Sequence, residues 1–298
     1  MDLLSIDSLS DDQIATILKE GERWAEANRD RVAASSPLNG RIMFNLFYEN
    51  STRTLMSFSV AAQRLGAQVV TLPVEHSSAK KGETLDDTAR TLNAMRPDVL
   101  VIRHFENGAP ARMARIMDCP VINAGDGTNE HPTQALLDAL TIRIRLGRIE
   151  GLKVAICGDI KHSRVARSNA KLLPRLGAEV RLAGPPALLP EDFEGSGDVD
   201  AAIEGADVIM MLRVQRERLE EDLGDAPGEY LARYGLTAER LARAAPDAVI
   251  MHPGPMNRGV EIDSTVADDE KRSLIPLQVE MGVAVRMACL QLLVGGAT

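Results

Sequence analysis

Aromatic side chains are scarce in this chain: Phe, Tyr and Trp together make up 3% of its 298 residues. Its cores must therefore be filled by Leu, Val, Ile, Ala and Met. Cysteine is rarer still. Cys119, Cys157 and Cys289 lie far apart and form no Cys-x-x-Cys pair, which points to free thiols and a reducing compartment. Basic residues are outnumbered, and the formal net charge of −9 argues against a general nucleic-acid surface and against anionic membranes. An anionic ligand would then need a local basic pocket, which makes clustered Arg and Lys informative. No apolar run reaches the ~18 residues of a membrane span, and the N-terminus lacks a basic–apolar–small leader pattern. The expectation is a soluble, cytoplasmic protein. Gly-x-Gly-x-x-Gly, the P-loop pattern, Gly-x-Ser-x-Gly, zinc-site spacing and internal repeats are all missing.

What is present is an alternation of strand-like and helix-like segments that runs twice. The length of 298 residues suits two domains of roughly 150 residues each. The pattern restarts after Gly147-Arg148-Ile149-Glu150-Gly151. The expected fold class is α/β, with two doubly wound domains, each a central mainly parallel sheet flanked by helices. The first domain is expected over 1–146, with the C-terminal helix from about 285 to 298 packing back on it; the second is expected over 147–284. A helix is expected from Asp7 to Asn28, with Ser10 and Gln13 as a capping box, and another from Leu277 to Leu293 with Val279, Val283, Met287 and Leu290 on one face. Gln215 to Glu229 reads as a polar loop.

Ligands of such sheets bind beyond the carboxyl ends of the strands. The polar residues that fall there are Ser51-Thr52-Arg53-Thr54, Arg103, His131, Arg164, Arg213 and His252-Pro253-Gly254-Pro255. Ser51 to Thr54 sit where the strand ending at Phe47 runs into a helix N-terminus, with unpaired N–H groups and the positive end of a helix dipole. Three hydroxyls and a guanidinium there suit a phosphate; the alternative is an N-cap cluster with a solvated Arg. His131 opens a helix, as a simple cap or as a donor to a carbonyl oxygen, with Gln134 on the same face. Lys80-Lys81-Gly82 is a solvated basic turn or part of the site, and Arg164 and Arg213 are surface ion-pair partners or two forks for a dicarboxylate.

Ser51-Thr52-Arg53-Thr54 resembles the carbamoyl-phosphate motif of the aspartate and ornithine carbamoyltransferases, and His131-Pro132-Thr133-Gln134 resembles their second signature. The aspartate branch is the nearer match. Ser77-Ser78-Ala79-Lys80-Lys81-Gly82-Glu83-Thr84-Leu85-Asp86-Asp87-Thr88 looks like its active-site loop and Arg213-Val214-Gln215-Arg216-Glu217-Arg218 like its aspartate-binding segment. His252-Pro253-Gly254-Pro255 stands where the ornithine enzymes carry His-Cys-Leu-Pro. The resemblance runs in order along essentially the whole chain.

That resemblance implies transfer of a carbamoyl group from carbamoyl phosphate to L-aspartate, within de novo pyrimidine (UMP) biosynthesis. It implies that Ser51, Thr52, Arg53 and Thr54 bind the phosphate, and that Thr54, Arg103 and His131 donate to the carbonyl oxygen. Gln134 and the backbone at Gly254 and Pro255 hold the carbamoyl NH₂, with a cis peptide bond before Pro255. Arg164, Arg213 and Gln215 bind aspartate, and Lys81, with Ser77, is supplied by a neighbouring subunit of a homotrimer. Glu49 is expected to bridge to Arg164 and Arg218 on domain closure. No metal or organic cofactor is implied, and a separate regulatory chain or dihydroorotase-like partner is left open. The alternatives are a carbamoyltransferase for another amino acid and a catalytically dead relative serving as a scaffold.

Overall fold

Two four-stranded parallel sheets organise the chain. The computed structural model describes residues 1–30, 36–74, 82–192, 194–214 and 228–295. They sort into two compact units, Met1–Leu140 with Val279–Thr298, and Thr141–Gln278. In chain order the first unit begins with α1 (Asp11–Arg29), β1 (Ile42–Phe47), α2 (Thr52–Arg64), β2 (Gln68–Leu72) and α3 (Leu85–Ala94). It continues with β3 (Val99–His104), α4 (Ala109–Ala114), β4 (Val121–Asp126) and the start of α5 (Pro132–Leu146). The second unit holds β5 (Lys153–Cys157), α6 (Arg164–Arg175), β6 (Glu179–Ala183), α7 (Val199–Ile203) and β7 (Val208–Met211). It ends with α8 (Glu229–Tyr234), α9 (Ala238–Leu241), β8 (Val249–Met251), α10 (Ser264–Ala267) and the start of α11 (Ile275–Val294).

The strand orders are β2-β1-β3-β4 and β6-β5-β7-β8. Each sheet therefore reverses its winding once, between β1 and β3 in one and between β5 and β7 in the other. Those two reversals are the places where open α/β sheets leave a crevice at the strand ends. Register puts Phe47, the last residue of β1, beside Arg103 of β3. In the second sheet Cys157, the last residue of β5, lies beside Met211 of β7. Gly158 follows directly with φ of +127°, and a Cβ there would come within 2.7 Å of the Leu212 carbonyl oxygen. Only glycine lets the chain turn this tightly at the reversal.

Helix α1 starts at Asp11, later than the Asp7 expected from periodicity. Ser10 accepts from the Gln13 N–H while Gln13 accepts from the Ser10 N–H, and this reciprocal cap fixes the first turn. Ser10→Ala should cost about 1 kcal/mol of stability, read as a lower urea midpoint with unchanged slope.

Helix α11 is long and apolar enough to cross a membrane by length and composition, though Gln278, Glu280 and Arg286 interrupt it, and 61% of its most apolar window is buried within the protein. From Val279 onward it packs in the first unit: Trp24 Nε1 donates to Gln291 Oε1 at 2.9 Å, and Arg29 pairs with Glu280. The expected single apolar face is wrong at Val279, which is exposed, whereas Met281, Val285 and Cys289 are buried with Met287 and Leu290. A core helix is apolar around most of its circumference, so no single stripe identifies its buried side. Burial pushes the Cys157 and Cys289 thiols up to about 12, so both are packing groups.

Candidate active site

Helix α2 begins at the carboxyl edge of the first sheet. Ser51, in extended backbone, caps it by accepting from the Thr54 N–H at 3.4 Å. The first turn carries no acidic residue, so its positive dipole end faces no competing carboxylate of its own. Thr52 and Arg53 are exposed there, and Thr54 is buried. Thr54 Oγ1 lies 3.5 Å from Nε2 of buried His131. The helix thus presents hydroxyls and a guanidinium outward and one hydroxyl inward, against an imidazole.

Arg103 arrives from β3, next to the end of β1. Its Nη1 donates to the Ala124 carbonyl at 3.3 Å, and its Nε lies 3.4 Å from Glu49 Oε2. Glu49 is therefore paired inside the first unit; Arg218, one of its expected partners, lies outside the described residues.

His131 sits directly before α5 and accepts at its carbonyl from the N–H groups of Gln134 and Ala135. The loop that delivers it is fixed by buried polar groups absent from the sequence expectations. Asp126 Oδ1 accepts from the Glu130 N–H and from Asn123 Nδ2, and Glu130 Oε2 accepts from the Ile6 N–H at 2.9 Å. The one available signal was the acidic pair Asp126 and Glu130 in an otherwise small-residue loop at a strand end.

Beside this edge, Tyr48, His104 and Phe105 form an aromatic step. The Tyr48 and His104 rings meet edge-on at 4.5 Å, and His104 stacks on Phe105 at 4.3 Å. His104 Nδ1 accepts from the Glu106 N–H, and burial holds the imidazole below its usual range. With Val74, Glu83 and Thr84, these rings line a cavity of about 530 Å³. Sequence reasoning did not single out this aromatic step.

In the second unit Arg164 is the first residue of α6, beyond the carboxyl end of β5. Ser163 caps that helix by accepting from the Ala166 N–H at 3.1 Å, and buried Asp159 holds His162 through both its backbone and its ring. Arg213 lies two residues past β7. The two arginines thus flank the β5/β7 reversal in sequence and in topology.

After β8, buried His252 accepts at Nδ1 from the Gly254 N–H, so its proton sits on Nε2, 3.2 Å from Glu261 Oε1. Glu261 also accepts from the Asn257 N–H. This ties down the Gly254-Pro255 turn, whose peptide bond is cis, as the resemblance implied. Ser77, Lys81 and Gln215 lie outside the described residues. Among the described residues, no cluster of His, Cys, Asp and Glu is placed to hold a metal ion.

The family model for the aspartate/ornithine carbamoyltransferase carbamoyl-phosphate binding domain matches residues 1–144, and the model for the Asp/Orn binding domain matches 150–293. The chain belongs to the aspartate/ornithine carbamoyltransferase family. Within that family it is 60% identical over 296 residues to the aspartate carbamoyltransferase catalytic subunit of Rhizorhabdus wittichii, covering 98% of this chain and 94% of that protein. It is 57% identical over 302 residues to the corresponding subunit of Novosphingobium aromaticivorans, covering 98% and 89%. Among carbamoyltransferases of known structure, the Trypanosoma cruzi aspartate transcarbamoylase in complex with carbamoyl phosphate superposes with a TM-score of 0.88 at 34% identity, over 97% of this chain and 94% of that one. The ornithine carbamoyltransferase of Pyrococcus furiosus superposes with a TM-score of 0.90 at 28% identity, over 100% and 98%. Fold alone therefore does not separate the two branches of the family; the higher identities lie with the aspartate branch.

Proposed function

We infer that this chain is an aspartate carbamoyltransferase: carbamoyl phosphate and L-aspartate give N-carbamoyl-L-aspartate and phosphate, a step of de novo pyrimidine biosynthesis. The observation that carries this reading is the convergence on one sheet edge of the α2 N-terminus, Arg103 and the Thr54–His131 contact at 3.5 Å. The α2 N–H groups with Ser51, Thr52 and Arg53 take the phosphate. Thr54, Arg103 and His131 donate to the carbonyl oxygen, and donors aimed there stabilise the oxyanion of the tetrahedral intermediate. The neutral aspartate amine attacks the carbamoyl carbon, the bond to phosphate oxygen breaks, and the departing phosphate accepts the amine proton. No protein base is required by this scheme, so rate comes from orientation and electrostatics.

Gln134 and the backbone of Gly254 and Pro255 take the carbamoyl NH₂. Arg164, Arg213 and Gln215 take the aspartate carboxylates, because planar guanidinium forks match carboxylates in pairs. We place the chain in a cytoplasmic homotrimer, with Ser77 and Lys81 supplied by a neighbouring subunit. That placement is supported by the three free thiols and by the 57% exposure of Phe105 at the aromatic-lined cavity.

The test is a product assay with carbamoyl phosphate and a panel of amino acids. N-Carbamoylaspartate should dominate; citrulline from ornithine would place the chain in the other branch, and no product would overturn the reading. Arg213→Ala should raise the aspartate KM roughly 30- to 100-fold, equivalent to about 2–3 kcal/mol for a lost charge-assisted hydrogen bond. Carbamoyl-phosphate affinity should be nearly unchanged.

A further inference from the structure

Buried on α5, one helical turn beyond Gln134, is a carboxylate that none of the assigned steps uses. Gln134 Nε2 donates to Asp138 Oδ1 at 3.0 Å, and both side chains are buried. A carboxylate only accepts hydrogen bonds, so it dictates which end of the Gln134 amide faces it. The NH₂ end is committed to Asp138, and the carbonyl end is left to meet whatever lies opposite. Without such a partner, an amide can present either end.

The same unit holds a buried cation. Arg286, on α11, is 3% exposed. Its guanidinium lies 5.0 Å from the centre of the Phe58 ring, and Nη1 donates to the Gly282 carbonyl at 3.3 Å. A Cβ at Gly282 would sit 2.8 Å from that nitrogen, so glycine makes the room. Burial lowers the Arg286 guanidinium to about 10, opposed by the nearby Cys289 and Asp138.

We propose that Asp138 is a positioning residue: it locks the Gln134 amide with its carbonyl end toward the carbamoyl group, so that the site selects an NH₂ donor there. This rests on the functional reading above and extends it to substrate choice. Carbamoyl phosphate and acetyl phosphate differ by NH₂ against CH₃ at this one place. A fixed acceptor distinguishes them, because a buried acceptor facing a methyl group is left unsatisfied.

The test releases the lock on the Gln134 amide. In Asp138→Asn either end of the introduced amide can face Gln134, so the Gln134 amide loses its single orientation and can turn its NH₂ toward the substrate's own NH₂. kcat/KM for carbamoyl phosphate should fall about 10- to 100-fold. Inhibition by acetyl phosphate, which has no NH₂ to oppose, should change by less than about twofold, the scatter expected where no contact is lost. The double variant Gln134→Glu/Asp138→Asn keeps the wild-type charge. Its introduced carboxylate accepts from both the introduced amide and the carbamoyl NH₂, so it should recover most of the loss. Thermal melts identify variants that fail to fold. Equal loss toward both phosphates without recovery in the double variant overturns the positioning role in favour of a structural one. An Asp138→Asn enzyme matching an active wild type overturns it as well. A wild-type chain that forms no N-carbamoylaspartate overturns the functional reading, and the positioning role with it.

Discussion

Arg103→Ala should lower kcat about 10²- to 10³-fold, the usual cost of removing one donor from an oxyanion site, while the fold survives. The structural consequences are small because of where the side chain sits. Its partners include the Ala124 carbonyl and Glu49, and the side chains of Arg103 and Glu49 retain 15% and 19% exposure. Water can therefore reach the groups left behind, and the partly exposed ion pair contributes little stability of its own. The catalytic consequence is large because the carbonyl oxygen gains its charge only as the amine attacks. A donor that strengthens its hold at that moment acts on kcat more than on substrate binding. Steady-state kinetics at saturating aspartate, paired with a thermal melt, separate the two effects. A kcat within threefold of wild type, with a lowered melting temperature, would make Arg103 a fold residue that merely lines the site; threefold is about 0.65 kcal/mol, well short of an oxyanion donor. Arg103→Lys should recover little, because a single ammonium cannot reproduce a planar fork held against both a carbonyl and a carboxylate.

The alternation of elements was legible in the sequence because each element carries its own periodicity and punctuation. The Ser10–Gln13 box, Ser51 before α2, Thr84 before α3, Pro132 at the head of α5 and Ser163 before α6 are local signals, and the structure uses each as a helix start. What was not legible depends on chain segments far apart. Helices of four to six residues, such as α8 and α10, bury too few side chains to show a period. The pairing of Glu49 with Arg103 joins positions on β1's exit and β3. The support of the His131 loop reaches from Glu130 back to Ile6, and Asp126 spans to the Gly108 N–H. Asp138 is a lone carboxylate in an apolar stretch of α5, but only its full burial and its contact with Gln134 show what it holds. The residues proposed to touch a ligand fall at or just beyond strand ends, where topology announces them. Residues that orient those residues fall wherever packing brings them, and a linear pattern has no means of marking them.

Mixing two dead variants should restore activity. Lys81→Ala and Arg53→Ala chains, each inactive alone, should recover about a quarter of wild-type activity when exchanged at equal amounts, if each site draws Arg53 from one subunit and Lys81 from the next around a threefold ring. An intact site needs an Arg53-bearing chain followed by a Lys81-bearing chain, and random assembly meets each requirement half the time. Each mixed trimer then holds one intact site. The connectivity makes this a real question. Val74 and Glu83, which flank residues 75–81, both line the cavity beside Tyr48, on the same sheet edge as Ser51. An intrachain site would yield no recovery at any mixing ratio. Exchange can be driven by brief exposure to mild denaturant and verified with two affinity tags of different charge. Recovery near a quarter, with the tagged hybrids carrying it, fixes the site as shared. Verified hybrids without activity would confine Lys81 to its own chain and remove the reason for reading the trimer into the catalytic cycle.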